Sequence, residues 1–234
     1  MQIKMIKAIL MDFNGIIIND EPVQMKAYQE ILKGEEIDLT EEQYYSSMGM
    51  DDVTFIRAAY ARAEKDLTDS RISVIREMKT AKWREIVEQE IPLFDGVENF
   101  VRKMAKDFAL GIVSMARREE IEFILDAANL RECFSIIVSA EDVENHKPNP
   151  ECYHKGFNLI DATRTAHGSN PIIHGDCLVI EDAPQGIRAG KAAGLMTLGI
   201  TNTVSAEKLR EAGADAVSKS LNDWMPDSMR RVFV

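Results

Sequence analysis

Cysteine is scarce here: Cys133, Cys152 and Cys177 are odd in number and far apart, which excludes a disulfide framework. A reducing, cytoplasmic location is therefore expected. No run of Lys or Arg exceeds two residues, and 39 acidic against 28 basic residues leave a net charge of −11. Sequence-independent nucleic-acid binding needs a basic footprint, so nucleic acid is excluded as a partner. No stretch approaches the roughly 20 apolar residues of a membrane-spanning helix, and the first apolar run is too short and too interrupted for a signal peptide. Internal repeats and low-complexity segments are also lacking. Composition leaves the oligomeric state open.

What the 234 residues do contain is 45% apolar side chains, enough for one large domain or a domain carrying a sizeable insertion. Met5–Met11 reads as a first apolar strand. Further strands are expected at Phe108–Val113, Phe134–Val138, Cys177–Ile180 and Met196–Ile200, with a weak last one at Ala214–Val217. Helices are expected between them at Glu119–Asn129, Pro150–Leu159, Gln185–Ala193 and Ala206–Ala212. Short apolar strands separated by helices predict an α/β core with a parallel, Rossmann-like sheet. Residues 19–91 differ. They hold only amphipathic patterns, at Val23–Leu32, Glu41–Ser47, Asp52–Ala63 and Arg71–Glu90, with Phe55, Ile56, Ala59 and Tyr60 at helical spacing. An all-helical insertion over 19–91 is expected, after the first strand of a core formed by 1–18 and 92–234. Asp161–Asp176, with Gly168, Pro171 and Gly175, reads as a long polar loop, a surface excursion in preference to a partner contact.

Chemistry-bearing residues gather at predicted carboxyl ends of strands, where open α/β sheets bind ligands. Asp12 ends the first strand within Asp12-Phe13-Asn14-Gly15, Ser114 ends the second, and Glu181-Asp182 end the Leu178–Ile180 strand. Lys147 precedes a helix in His146-Lys147-Pro148-Asn149-Pro150. Asp12 and Asp182 are hard oxygen ligands suited to Mg²⁺. Ser114 and Lys147 offer a hydroxyl and a positive charge to a phosphoryl group, and a carboxylate can attack phosphorus directly. Gly15 permits a tight turn that brings the carbonyl of Asn14 towards a metal. Each residue taken alone reads better as a cap or a solvated loop. Their order and shared strand-end position point to a phosphoryl-transfer site.

Asp12-Phe-Asn-Gly, Val113-Ser114, Lys147-Pro-Asn-Pro and Val179-Ile-Glu181-Asp182-Ala-Pro-Gln-Gly186 resemble the four motifs of the haloacid dehalogenase superfamily. The likeness runs on through Gly190 and Gly194, and is nearest to the β-phosphoglucomutase-like branch with a helical cap. The resemblance implies Asp12 as nucleophile and Mg²⁺ ligand, and Asn14, Asp182 and Glu181 on the metal. It also implies Ser114, Met115 and Lys147 around the phosphoryl group of a small phosphorylated metabolite. Arg117-Arg118 fall where relatives touch substrate, and fit a solvated first helical turn equally well.

The chain departs from that pattern at Asn14, where the family usually has a second Asp acting as general acid and base. Loss of such a group costs about 10²- to 10⁴-fold in rate. A Mg²⁺-dependent phosphatase with weakened turnover is the leading expectation. A phosphate-binding regulatory protein and a phosphotransferase are the alternatives. Mutase activity is disfavoured, because Met48-Gly49-Met50-Asp51-Asp52 carries no basic residue and Gln24 stands where the mutases have a helper His. Asp52 likewise occupies the place of a phosphonatase's Schiff-base Lys.

Overall fold

The computed structural model describes residues 5–47, 50 and 52–233. Two compact units result, one joining the chain up to Ile18 with Leu93 onward, the other formed by Asn19–Pro92.

Six strands make the sheet of the first unit: β1 (Ala8–Met11), β2 (Ala109–Val113), β3 (Ile136–Val138), β4 (Cys177–Glu181), β5 (Met196–Ile200) and β6 (Ala216–Ser218). All pairings are parallel, in the order β3-β2-β1-β4-β5-β6. β1 and β4 are buried along their whole length, as central parallel strands covered by helices must be. The chain winds outward from β1 to β3 and then returns to build β4, β5 and β6 on the other side. Strand order therefore reverses at β1, and the carboxyl ends of β1 and β4 flank the switch point where such sheets hold ligands.

The flanking helices are α5 (Val97–Met104), α6 (Arg118–Ala127), α7 (Glu151–Ala166), α8 (Pro184–Ala192), α9 (Ala206–Glu211) and α10 (Pro226–Val232), numbered after four in the second unit. Leu10, Val113, Val138, Val179, Tyr153, Phe157 and Ile160 share one buried cluster, which seats α7 on the sheet. Among the boundaries that differ from the sequence reading, two have a plain physical reason. Residues 5–7 precede β1, because Met5 is exposed and only the backbone of Lys7 continues the ladder, to Asp176 and Ala109. The loop expected over Asp161–Asp176 is instead helix to Ala166. Gly168, at φ +81°, ends it: Ser169 N–H bonds to Arg164 O and Gly168 N–H to Thr165 O. That is the double closure that a left-handed glycine permits, and it stops a helix whose polar residues had looked like loop.

The second unit consists of α1 (Glu21–Gly34), α2 (Glu41–Ser46), α3 (Asp52–Arg62) and α4 (Asp69–Gln89). On α4 the buried residues Ile72, Ile75, Lys79, Trp83 and Val87 recur every three or four positions, one face of a helix. Tyr28, Leu32, Phe55, Ile56, Tyr60, Ile72 and Ile75 form this unit's own core. Trp83 Nε1 donates to the buried Asp20 carboxylate at 2.5 Å, and Gln24 Nε2 to the same carboxylate at 2.6 Å. Of the 48–52 stretch, residues 48, 49 and 51 lie outside the described residues. Asp52 opens α3 and accepts from the Tyr28 hydroxyl at 2.5 Å, with Arg76 at 3.7 Å and Lys79 at 3.9 Å.

Candidate active site

Register brings the carboxyl ends of β1, β2 and β4 together. Met11 pairs with both Ile112 and Ile180, so Asp12 emerges beside the ends of its two neighbours, and its N–H donates to Ile180 O at 3.0 Å. Lys147 reaches in from the segment before α7. Its Nζ donates to Asp12 Oδ1 at 2.9 Å, to Glu181 Oε1 at 2.7 Å and to Val113 O at 3.0 Å. One ammonium thus ties the ends of three strands, with the Tyr153 ring 5.1 Å from it.

Oxygens of Asp12, Glu181 and Asp182 lie within 4.8 Å of one another. Glu181 is fully buried, and each of its oxygens is doubly engaged. Oε1 accepts from Lys147 and, at 2.8 Å, from Tyr153 OH. Oε2 accepts from the N–H groups of Asp182 at 3.2 Å and Ala183 at 3.3 Å. A carboxylate has about four acceptor positions, so Glu181 would reach an ion only by giving up one of these bonds. Asp12, whose side chain keeps 13% exposure, and Asp182 are less committed. Asp182 Oδ2 accepts from the Thr203 hydroxyl. Gly15, at φ +79°, packs against this carboxylate so closely that a Cβ there would overlap it.

Burial and the Glu181 charge raise the Asp12 carboxyl to about 6 against the pull of Lys147. Burial, then the charges of Glu181 and Asp12, raise Asp182 to about 8. For Lys147, burial works against the charged form, but the Asp12 and Glu181 carboxylates outweigh it and the group is held above its ordinary value. Fully ionised, three clustered carboxyl groups against one ammonium would leave two negative charges over; burial and that crowding hold Asp12 and Asp182 above the usual carboxylate range. An excess of hard, anionic oxygens at one point is what a Mg²⁺ site requires, so the donor set fits that ion.

Asp12, Lys147, Glu181 and Asp182 are therefore brought together. Ser114 is buried at the end of β2, next to the Val113 carbonyl that Lys147 holds, and its Oγ accepts from Ala116 N–H at 3.1 Å. Met115, partly buried, packs its side chain against the core. Asn14 sits in the turn after β1, bridged to Ile18. The Arg117-Arg118 pair makes its contacts elsewhere. Arg117 pairs with Glu119 at 3.1 Å, and Arg118 binds Asp142 at 2.5 Å and the Ile137 carbonyl at 3.3 Å. Those arginines anchor the start of α6 and the loop after β3. Sequence reasoning missed Tyr153, Asn202 and Thr203. The last two follow β5, whose carboxyl end lies on the same sheet edge, and that position was the available signal.

A family model described as haloacid dehalogenase-like hydrolase matches residues 9–200. The chain is similar to a pyrophosphatase, PpaX, of Bacillus mycoides, with 23% identity over 228 residues, 94% of this chain and 96% of the relative. A phosphorylated carbohydrates phosphatase of Thermotoga maritima is 25% identical over 216 residues, 91% of this chain and 94% of the relative. Among solved structures, a β-phosphoglucomutase from Clostridium difficile superposes with a TM-score of 0.75 at 18% identity, over 98% of this chain and 97% of that one.

Proposed function

This chain belongs to the haloacid dehalogenase-like hydrolase family, and from that premise we propose that it is a Mg²⁺-dependent phosphatase of small phosphorylated metabolites. The observation that carries the reading is the Asp12–Lys147–Glu181–Asp182 cluster at the switch point of the sheet. Relatives named as phosphatases of pyrophosphate and of phosphorylated carbohydrates support the substrate class. Three free cysteines support a reducing, cytoplasmic location.

Asp12 and Asp182 would hold the ion, with the Asn14 carbonyl beside them. When bound, Mg²⁺ supplies neutralising charge to the phosphoryl oxygens and fixes their orientation. With its carboxyl near 6, Asp12 is mostly ionised at neutral pH and available as nucleophile. An Asp12 oxygen bonds to phosphorus as the bond from phosphorus to the leaving oxygen breaks, giving an aspartyl phosphate. Lys147, kept charged by its two carboxylates, balances the transferring group and fixes the Asp12 oxygen it touches. The Ser114 hydroxyl donates to a phosphoryl oxygen. Glu181 is a positioning residue that anchors Lys147. Water then opens the acyl phosphate and releases inorganic phosphate.

Asn14 has no proton to give the leaving group, so that group departs as its anion, and no carboxylate there prepares the water. Substrates with good leaving groups, acyl and aryl phosphates, are favoured. A panel of phosphorylated metabolites with Mg²⁺ tests the reading, which fails if no compound turns over faster than with Asp12→Ala. Asn14 also favours a second reading, a phosphate-binding protein or phosphotransferase in which the aspartyl phosphate outlives hydrolysis. Mass spectrometry after addition of acetyl phosphate separates them: a lasting phospho-Asp12 marks transfer, whereas phosphate bound without modification marks binding.

A further inference from the structure

The loop after β5 sends two side chains to the site from outside the strand-end acids. Asn202 Nδ2 donates to the Gly15 carbonyl at 2.7 Å, and the Thr203 hydroxyl donates to Asp182 Oδ2. Both residues are exposed, where water readily replaces a side-chain hydrogen bond and little stability is at stake. Their common property is the target. One holds the turn that carries Asn14, and the other holds a carboxylate assigned to the ion.

We infer that Asn202 and Thr203 are positioning residues that pre-set the metal-holding face of the site, Thr203 by fixing the Asp182 carboxylate and Asn202 by fixing the turn after Asp12. The inference rests on the Mg²⁺ reading above. A free carboxylate rotates about its Cβ–Cγ bond, and ordering it opposes ion binding. A donor on Oδ2 fixes its plane and leaves Oδ1 as the ligand atom. A hydroxyl does this without neutralising the charge, whereas a lysine in its place would compete with the cation.

Geometry supports the same role for Asn202. Gly15, at φ +79°, lies between two fixed peptide groups. Its N–H donates to Ile18 O at 2.9 Å, which holds the plane containing the Asn14 carbonyl. Its own carbonyl is held by Asn202. Without Asn202 the second plane is free, and the glycine between the two is the residue least able to resist rotation.

Isothermal titration with MgCl₂, together with melting in EDTA, tests this on the full chain and on Thr203→Val, Thr203→Ser and Asn202→Ala. Loss of a partner behind a metal ligand weakens affinity by about 10- to 100-fold. That loss is expected for Thr203→Val, with recovery in Thr203→Ser and a smaller loss in Asn202→Ala. Melting in EDTA should stay within about 3 °C of the unmodified chain, corresponding to roughly 1 kcal/mol. Unchanged Mg²⁺ affinity in Thr203→Val, or a Thr203→Ser variant as weak as it, overturns the inference. So does a larger fall in the EDTA melt, which would assign the hydroxyl to the fold. If the unmodified chain takes up no Mg²⁺, the reading under Proposed function fails first and takes this one with it.

Discussion

Gly15→Ala is a substitution whose effect follows from two structural features. Its φ of +79° places an alanine in the left-handed region, at a cost of about 1–2 kcal/mol. The new Cβ would stand 2.8 Å from Asp182 Oδ1 and nearer still to the rest of that carboxylate. Backbone on both sides of Gly15 is pinned, so Asp182 must move and give up the Thr203 hydroxyl. That bond comes from an exposed hydroxyl and adds about 1 kcal/mol. Regained hydration of a carboxylate that burial has pushed to about 8 offsets part of this loss. The net expectation is a destabilisation of about 2–3 kcal/mol, which for a chain of this size lowers Tm by roughly 4–12 °C. Mg²⁺ should no longer raise Tm, because Asp182 has left its place. Gly34→Ala is the control: nothing lies within 4 Å of its would-be Cβ and its φ is not positive. It should be neutral or stabilising by up to about 1 kcal/mol. Thermal melts in EDTA and in MgCl₂ decide the matter. A Gly15→Ala variant that melts with the unmodified chain and keeps its Mg²⁺ response would refute both the packing of Asp182 on Gly15 and its part in holding the ion.

Asn14→Asp should raise phosphatase turnover in MgCl₂ by about 10²- to 10⁴-fold, measured as kcat on an alkyl phosphate; no gain would mean that a proton donor at this position is not what limits the reaction. Lys147→Met leaves the buried Asp12 and Glu181 carboxylates without their shared cation, and urea unfolding at neutral pH should show a loss of about 3–5 kcal/mol. Stability in EDTA should fall as pH rises. Asp12 near 6 and Asp182 near 8 keep protons that the unfolded chain releases around the ordinary carboxylate value. The folded state thus binds more protons between about pH 4 and 8, and the slope is negative there. MgCl₂ should flatten or reverse that slope, and a Tm that rises with pH in EDTA would count against the burial of these acids.

The fold was legible wherever hydrophobicity dictates structure. Met196–Ile200 is a strand at the residues expected, because five small or apolar residues follow a helix-ending glycine. The polar stretch after Asp161 was misread because helix propensity there is modest and the stop lies in one backbone angle at Gly168. Asp12, Glu181 and Asp182 were legible because charge at the end of a buried strand is unusual, and Lys147 because it stands before a helix in Lys147-Pro148-Asn149-Pro150. The division of labour among them was not. That Glu181 anchors Lys147, instead of simply facing outward as an acid, depends on a Tyr153 hydroxyl and two N–H groups that no spacing rule points to. Arg117 and Arg118 pair with Glu119 and with Asp142 and the Ile137 carbonyl, partners that their position after Ser114 does not announce.

Where the first unit is interrupted, Ile18 and Leu93 form an antiparallel bridge, and Phe94 N–H reaches Ile17 O at 3.1 Å. The two cut ends are thus already stitched together, without help from the residues between them. Loop-closure entropy grows only slowly with length, so a short turn, or a wholly different helical module, can be spliced between Ile18 and Leu93 at little thermodynamic cost. The sheet-edge cluster, built wholly within the first unit, need not change when the insertion does.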